Sequence, residues 1–238
     1  EDVNMYRSMV GSLIYLTITR PDLSYVVGLV SQFMQQPTKP HLDCIRRILR
    51  YVKATQNYGL FYRADLDIKL EGYTDVDWVG SQTDRRSTSG YMFTLGSATI
   101  SWSSKKQATI ALSSTEAKYR GAATTTCEEV WIRRLLADLG EYIDGAVTIW
   151  CDNMSNIQLA KNRVFHARIK HIEVHYHFVR EKVIDVEVNM QYVSTNQQVV
   201  DILTKGLSIE KHAPFRDMLE LINIEMIVGK NEGKDDSR

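Results

Sequence analysis

The sequence lacks a long hydrophobic run, a net charge and a dense set of cysteines. None of its apolar stretches reaches the roughly 20 residues that a membrane-spanning helix requires. Its first residues do not place a basic region ahead of an apolar one, as a secretory signal does. The 29 basic and 29 acidic residues cancel, which excludes a strongly basic chain but leaves room for local nucleic-acid-binding patches. We therefore expect no membrane partner.

The three cysteines are too few and too far apart to indicate a disulfide framework. Cys44, Cys127 and Cys151 each lie among apolar neighbours. We predict buried, reduced thiols and an intracellular location, cytoplasmic or nuclear. The chain does not begin with methionine, so we expect a fragment or a processed product.

The first quarter of the chain has the periodicity of helices. With 238 residues, 44% of them apolar and 24% charged, the chain suits one or two globular domains. Apolar residues recur at helical spacing through residues 4–62. Segment 41–56 sets an apolar stripe opposite a basic face that suits either solvent or nucleic-acid phosphates. That face consists of Arg46, Arg47, Arg50 and Lys53.

From residue 58 onwards the pattern changes to the alternation of β-strands, rich in aromatic residues. It predicts three antiparallel strands, a helix from Ser113, a strand that ends at Asp152, further helices, a strand and a short final helix. This order suits a mixed sheet covered by helices, an α/β fold. A domain boundary is predicted at residues 63–67.

The helix that begins at Ser113 combines a start signal with an unusual charge. Ser113 and Glu116 form a capping-box pattern, in which each side chain accepts a hydrogen bond from the backbone of the other. Lys118 follows within two turns, where the helix dipole disfavours cations. Apolar residues at four-residue spacing then predict a buried face. They are Ala123, Cys127, Trp131 and Leu135.

Three aspartates stand where predicted strands or helices begin or end. Asp75 lies in a strand, with Asp77 on the same face two residues later; Asp152 ends another strand, and Asp201 opens the final helix. Taken singly, Asp152 and Asp201 are better explained as helix-terminal residues. Taken together, carboxylates from separate elements can hold two Mg²⁺ ions that clamp the attacking and leaving oxygens of a phosphodiester.

Six motifs follow one another from residue 72 onwards. They are "GYTDVDWVG", "DRRSTSGYMFTLGSATISWSSKKQ", "LSSTEAKYRGAA", "WCDNMSNIQLA", "HARIKHIEVHYHFVRE" and "YVSTNQQVVDILTK". In this order they resemble the ribonuclease H domain of copia-type retrotransposon polyproteins. Upstream, "YRSMVGSLIYLTITRPDLSYVV" and "HLDCIRRILRYVKATQNYGLFY" look like the stretch between the reverse-transcriptase palm and that domain. The resemblance runs from Tyr6 to Leu207 and does not include the palm, so we expect no DNA polymerisation.

The resemblance implies a fold, a reaction and partners. The fold would be α/β, a ribonuclease H-like mixed five-stranded sheet flanked by helices and preceded by a small helical segment. Residues 1–62 would resemble the reverse-transcriptase thumb or connection, 63–210 the ribonuclease H domain, and 211–238 a C-terminal helix and disordered tail. The reaction would be two-metal hydrolysis of the RNA strand of an RNA–DNA hybrid with Mg²⁺ or Mn²⁺. Further partners would be the reverse-transcriptase palm or a host protein.

The family uses four acids in the order Asp, Glu, Asp, Asp. The resemblance assigns the first, third and fourth to Asp75, Asp152 and Asp201, which would be the metal ligands. The family pattern "STEAEY" places the catalytic glutamate at Lys118, whereas Glu116 matches the preceding glutamate. Glu116 remains a candidate catalytic residue only if the helix start is shifted, because positions two apart differ by about 200° in direction.

Lys118 leads to a hypothesis about activity. Its ammonium would point into the carboxylates, replace part of the metal charge and weaken or abolish hydrolysis; the alternative is that it points to solvent. Three functions stay open: a weakened ribonuclease H, an inactive host-adopted module that binds nucleic acid or protein, and an integrase-like nuclease. The motif order argues against the last.

Two weaker patterns stay undecided. His171 and His175 have a spacing that can bind zinc, with His166 and His177 nearby, although a surface that faces the hybrid is favoured. The segment 84–90, "DRRSTSG", suits phosphate contacts and a polar hairpin turn equally well.

Overall fold

The computed structural model describes residues 2–63, 68–80, 84–161, 173–225 and 227. The chain divides into two compact units, one formed by Glu1–Tyr62 with Ser208–Arg238 and the other by Arg63–Leu207. The predicted disordered tail lies outside the described residues. Among the helices that the structure describes, none combines the length and the apolar character needed to cross a bilayer.

Helices dominate the first unit, as predicted. They are α1 (Val3–Leu16), α2 (Ser24–Ser31) and α3 (Lys39–Ala54), with a 3-10 turn at Pro21–Leu23 ahead of α2. Their apolar faces meet in one core, whose buried members include Tyr6, Leu13, Leu23, Leu42, Ile45 and Ile48. The predicted basic face of α3 is exposed along its whole length.

A two-stranded sheet completes the first unit and corrects the predicted C-terminal segment. Strand β1 (Tyr58–Leu60) pairs antiparallel with β7 (Leu221–Asn223), which follows α8 (Ile209–Met218). The C-terminal helix expected within 211–238 therefore ends at Met218, and the chain continues as a strand. Because β7 needs β1 as its hydrogen-bonding partner, the described part of 211–238 belongs to the first unit instead of forming a separate segment.

The second unit contains the predicted mixed sheet of five strands. They are β2 (Leu70–Asp77), β3 (Thr88–Leu95), β4 (Ala98–Lys106), β5 (Val147–Cys151) and β6 (Val188–Tyr192). The order across the sheet is β4-β3-β2-β5-β6. The first three strands pair antiparallel, whereas β5 runs parallel to β2 and β6 runs parallel to β5. The α/β fold class with a mixed sheet flanked by helices is thus confirmed.

The helices of this unit are α4 (Ser114–Asp138), α5 (Met154–Lys161), α6 (Glu173–Ile184) and the short α7 (Asp201–Thr204). Residues of α4, α5 and α6 form a buried cluster with β5 and β6. Because β2 and β5 are parallel and Thr74 pairs with Cys151, both strands end at the same edge of the sheet. Asp75 and Asp152 are therefore brought to that edge by backbone geometry alone.

The buried face of α4 differs from the predicted one. Trp131 is 55% exposed, Leu135 is 41% exposed and Cys127 is also exposed, while Ala123 is buried as predicted. The buried residues of α4 are mostly small or polar: Glu116, Ala117, Gly121, Ala122, Ala123, Thr125, Thr126 and Glu129, together with Tyr119, Ile132 and Leu136. Their size lets the helix approach closely, since a side chain at Gly121 would clash with Val76.

The cysteine prediction is correspondingly wrong for two of the three thiols. Cys44 and Cys127 are exposed, and Cys151 is buried at the end of β5. Burial raises the pKa of the Cys151 thiol to about 11. The apolar neighbours of Cys44 and Cys127 in sequence are not their neighbours in space, because on a helix adjacent residues point in different directions.

Gly90 supports the edge of the sheet at which the aspartates lie. It pairs with Asp75 across β2 and β3. A Cβ on Gly90 would lie 2.7 Å from Thr204 Cγ2, 2.9 Å from Val200 Cγ1 and 3.1 Å from Leu203 Cβ. The absence of a side chain therefore allows α7, which begins with Asp201, to pack directly on the strand.

We predict that Gly90→Ala lowers the free energy of unfolding by about 1–3 kcal/mol, the usual cost of overpacking a dense core. Urea denaturation followed by circular dichroism measures the effect. Gly206→Ala is the matched control, because nothing lies within 4 Å of a Cβ at that position. Equal stability of the two variants would show that α7 does not depend on close packing against Gly90.

Candidate active site

Asp75 is the predicted catalytic acid that lies within a strand, and it is almost completely buried. The residue is 4% exposed near the carboxyl end of β2. Its Oδ2 accepts a hydrogen bond from Thr204 Oγ1 at 2.7 Å. Its Oδ1 lies 3.8 Å from Lys118 Nζ. Two different elements, α7 and α4, therefore supply its polar partners.

Asp152 follows β5 and is the main partner of Lys118. Lys118 Nζ donates a hydrogen bond of 2.6 Å to Asp152 Oδ1. The lysine side chain is only 19% exposed, so it points into the carboxylates, as hypothesised, and not to solvent. The suggested capping role falls to Asn153 instead, whose Oδ1 accepts from the backbone N–H of Asn156 at 3.0 Å.

The charge on Lys118 is secured by the acids around it. Burial by itself disfavours the ammonium, but the hydrogen bond to Asp152 and the charges of Asp152 and Asp75 outweigh burial and raise the lysine pKa. Lys118 therefore carries a positive charge at neutral pH. A permanent cation lies between two of the three predicted metal ligands.

Asp201 begins α7 and is almost completely buried. Its side chain is 1% exposed, and its Oδ1 lies 2.9 Å from Lys205 Nζ. Within the described parts of the chain, no hydrogen-bond donor reaches Oδ2. Burial, together with the nearby charge of Asp75, raises the pKa of Asp201 to about 6, against the opposing effect of Lys205.

Lys205 and Asp77 complete the cluster. The pKa of Lys205 is raised, despite burial, by its contact with Asp201 and by the charges of Asp75 and Asp152. Burial and the charge of Asp75 raise the pKa of Asp77, while Lys205 lowers it. Lys205 is not among the residues predicted from the sequence, although its position four residues after Asp201 is the spacing of a helical ion pair.

Glu116 lies at the start of α4, away from the contacts that join the aspartates. Its backbone N–H donates to Ser113 Oγ at 3.1 Å, so half of the predicted capping box is present. Its Oε2 accepts from the backbone N–H of Leu112 at 2.8 Å, and its Oε1 pairs with Arg120 at 2.6 Å. Since the helix begins at Ser114 as the motif predicts, the shift that Glu116 would need does not occur.

The implied Mg²⁺ or Mn²⁺ does not fit the residues as they are arranged. In the described part of the chain, no three side chains among histidine, cysteine, aspartate and glutamate are grouped to hold a metal ion. The Lys118 ammonium occupies the space between Asp75 and Asp152 in which a cation would bind. The predicted zinc-binding pattern falls partly outside the described residues, because His166 and His171 are not among them.

The geometry can be compared with known proteins. No family model matches the chain. It is 47% identical over 207 residues to the "Retrovirus-related Pol polyprotein from transposon RE1" of Arabidopsis thaliana, which covers 87% of this chain and 14% of that protein. It is 43% identical over 219 residues to the Pol polyprotein from transposon TNT 1-94 of Nicotiana tabacum, and the match covers 90% of this chain and 16% of that protein. The chain thus spans about a seventh of the length of these relatives.

A solved structure is similar to part of the chain at a lower level. The ribonuclease H1 of Halobacterium salinarum NRC-1 aligns with 57% of this chain and 94% of its own, at 11% identity and a TM-score of 0.42. By its own topology, the second unit is a mixed α/β domain with an acidic site at the ends of β2 and β5. By the sequence matches above, the chain belongs to the copia-type retrotransposon Pol polyproteins and corresponds to a part of them.

The raised pKa of Asp201 predicts a pH dependence of stability. A folded-state pKa of about 6 exceeds the value of about 4 in an unfolded chain, so the folded state binds the proton more tightly. The resulting stabilisation is fully present below pH 4 and is lost as the pH rises to about 6. The free energy of unfolding should therefore fall more steeply across this window in wild type than in Asp201→Asn.

Urea denaturation at a series of pH values between 4 and 7 measures these slopes. Asp138→Asn, at an exposed position near the end of α4, is the control and should keep the wild-type slope. If Asp201→Asn also kept the wild-type slope, burial of Asp201 would not be the cause of the pH dependence.

Proposed function

We propose that the chain is a ribonuclease H-type domain of a copia-type Pol polyprotein that binds RNA–DNA hybrids and whose metal-dependent hydrolysis is suppressed by Lys118. One observation carries this proposal. Lys118 Nζ lies 2.6 Å from Asp152 Oδ1 and 3.8 Å from Asp75 Oδ1, where the family's mechanism requires a metal ion.

Electrostatics explains why the lysine and the metal compete. Mg²⁺ demands oxygen ligands at about 2.0–2.1 Å in near-octahedral geometry, and the hydrogen bond from Lys118 occupies one of those oxygens. An ammonium about 4 Å away also repels the ion, by roughly 4 kcal/mol per unit charge at an effective dielectric constant of about 20. Lys118 moreover replaces a carboxylate ligand, so the site loses a negative charge and gains a positive one.

Hybrid binding is supported by what surrounds the aspartates. Arg85 and Arg86 are exposed immediately before β3, and Asp77 pairs with Thr88 at that end of the sheet. Within the segment 84–90, Ser87 is fully buried and accepts from the backbone N–H of Val79, so the arginines are the candidates for phosphate contacts. Such contacts position a duplex, while backbone shape and the 2′-hydroxyl distinguish RNA from DNA.

A second candidate function is a weakened two-metal ribonuclease H. The observation in its favour is that Asp75, Asp152 and Asp201, matched to the family's first, third and fourth acids, meet at one edge of the sheet. An intracellular setting and contact with a reverse-transcriptase palm or a host protein belong to both proposals. The two differ only in whether the chain turns over its substrate.

We predict that Lys118→Glu increases hybrid cleavage by about a hundredfold or more, the order expected for restoring one electrostatic group of an active site. The measurement is the release of a fluorescent RNA fragment from a hybrid in Mg²⁺ and, separately, in Mn²⁺. The wild-type chain should remain at background in both metals.

Two variants control this experiment. Lys118→Met removes the ammonium without supplying an oxygen ligand and should stay silent, whereas Asp75→Asn in the Lys118→Glu background should abolish the recovered activity. Wild-type cleavage as fast as that of Lys118→Glu, and sensitive to Asp75→Asn, would refute suppression and establish the second candidate.

A further inference from the structure

Two lysines compensate the acidic site. Lys118 lies between Asp75 and Asp152, and Lys205 Nζ lies 2.9 Å from Asp201 Oδ1. Each aspartate that the family would use to hold metal is thus beside an ammonium. The two lysines come from different elements, α4 and the end of α7, and the charges of Asp75 and Asp152 act on both.

The cations lie nearer to solvent than the acids behind them. The side chains of Lys118 and Lys205 are 19% and 35% exposed, whereas those of Asp75, Asp152 and Asp201 are 3%, 11% and 1% exposed. A molecule that approaches this edge of the sheet therefore meets ammonium groups before it meets carboxylates.

Both ammonium groups retain hydrogen-bonding capacity. An ammonium has three N–H donors. Among the residues that the structure describes, Lys118 uses one donor for Asp152, and its distance of 3.8 Å to Asp75 exceeds that of a hydrogen bond. Lys205 contacts one oxygen of Asp201. Each lysine can therefore donate to an acceptor on the solvent side without breaking its ion pair.

We propose that Lys118 and Lys205 form a phosphodiester-binding site that works without a divalent metal. The inference rests on the proposed function, in that the phosphodiester belongs to a bound RNA–DNA hybrid. A carboxylate cluster repels phosphate unless positive charge intervenes, and here the two ammonium groups supply that charge. Phosphate oxygens accept the free N–H bonds, and the acids hold the two lysines in place.

The experiment compares hybrid affinity in EDTA and in Mg²⁺ at one fixed ionic strength, using the full chain and fluorescence anisotropy of a labelled hybrid. Wild type should bind equally, within about twofold, in both conditions. Lys118→Met and Lys205→Met should each weaken binding in EDTA by about tenfold, the value of one charge-assisted hydrogen bond. Each should also reduce the slope of log Kd against log salt by about 1.

Matched variants separate charge from folding. Lys182→Met is the control, because Lys182 is a lysine of α6 that lies outside the site, has a side chain that is 16% exposed and pairs with Glu187 at 3.0 Å. This variant should bind the hybrid as wild type does. Lys118→Arg and Lys205→Arg keep the charge and should keep the affinity. Lys118→Glu should bind the hybrid only when Mg²⁺ is present.

The outcomes distinguish this inference from the proposed function. Binding of the wild type that requires Mg²⁺ would overturn the metal-free site and leave hybrid binding intact. Unchanged affinity in Lys118→Met and Lys205→Met would overturn it too. Failure of the wild type to bind hybrid under either condition would overturn the proposed function and, with it, this inference.

Discussion

The ion pair between Lys118 and Asp152 is the interaction on which the second unit's acidic edge depends. Parallel pairing of β2 and β5 brings Asp75 and Asp152 together, and packing of α7 on β3 adds Asp201. Three carboxylates at so little exposure repel one another strongly unless positive charge lies among them. In this chain one such charge is covalently attached to α4 as Lys118, and it reaches Asp75 and Asp152 when the helix docks on the sheet, while Lys205 supplies a second beside Asp201.

Close docking of α4 determines whether that balance is reached. A large residue on its inner face would hold the helix away from β2, and the lysine could not extend to both aspartates. The small inner face avoids this, and Thr125 bonds the hydroxyl of Thr74 at 2.9 Å across the contact. The outer face carries the exposed Trp131 and Leu135, while Ile132 and Leu136 pack against the strands near the end of the helix.

The sequence predicted the features that repeat locally and missed those that depend on distant partners. Alternation defined the strands, and acids at strand ends converge because strand direction dictates it. The direction of Lys118 could be predicted because a helix fixes the direction of each residue. The inner face of α4 was missed because alanine, glycine and threonine carry little hydrophobic signal. The pairing of β1 with β7 was missed because no local pattern links segments so far apart.

The pairing of β1 with β7 has a consequence for how the protein is made. The first unit is discontinuous, and the whole of Arg63–Leu207 is synthesised between its two strands. At ribosomal rates, β1 emerges on the order of ten seconds before its partner. During that interval the three helices must persist without their sheet, while the second unit has all of its strands and can complete its fold first. In the nascent chain, the inserted second unit can therefore fold before the first unit completes its sheet.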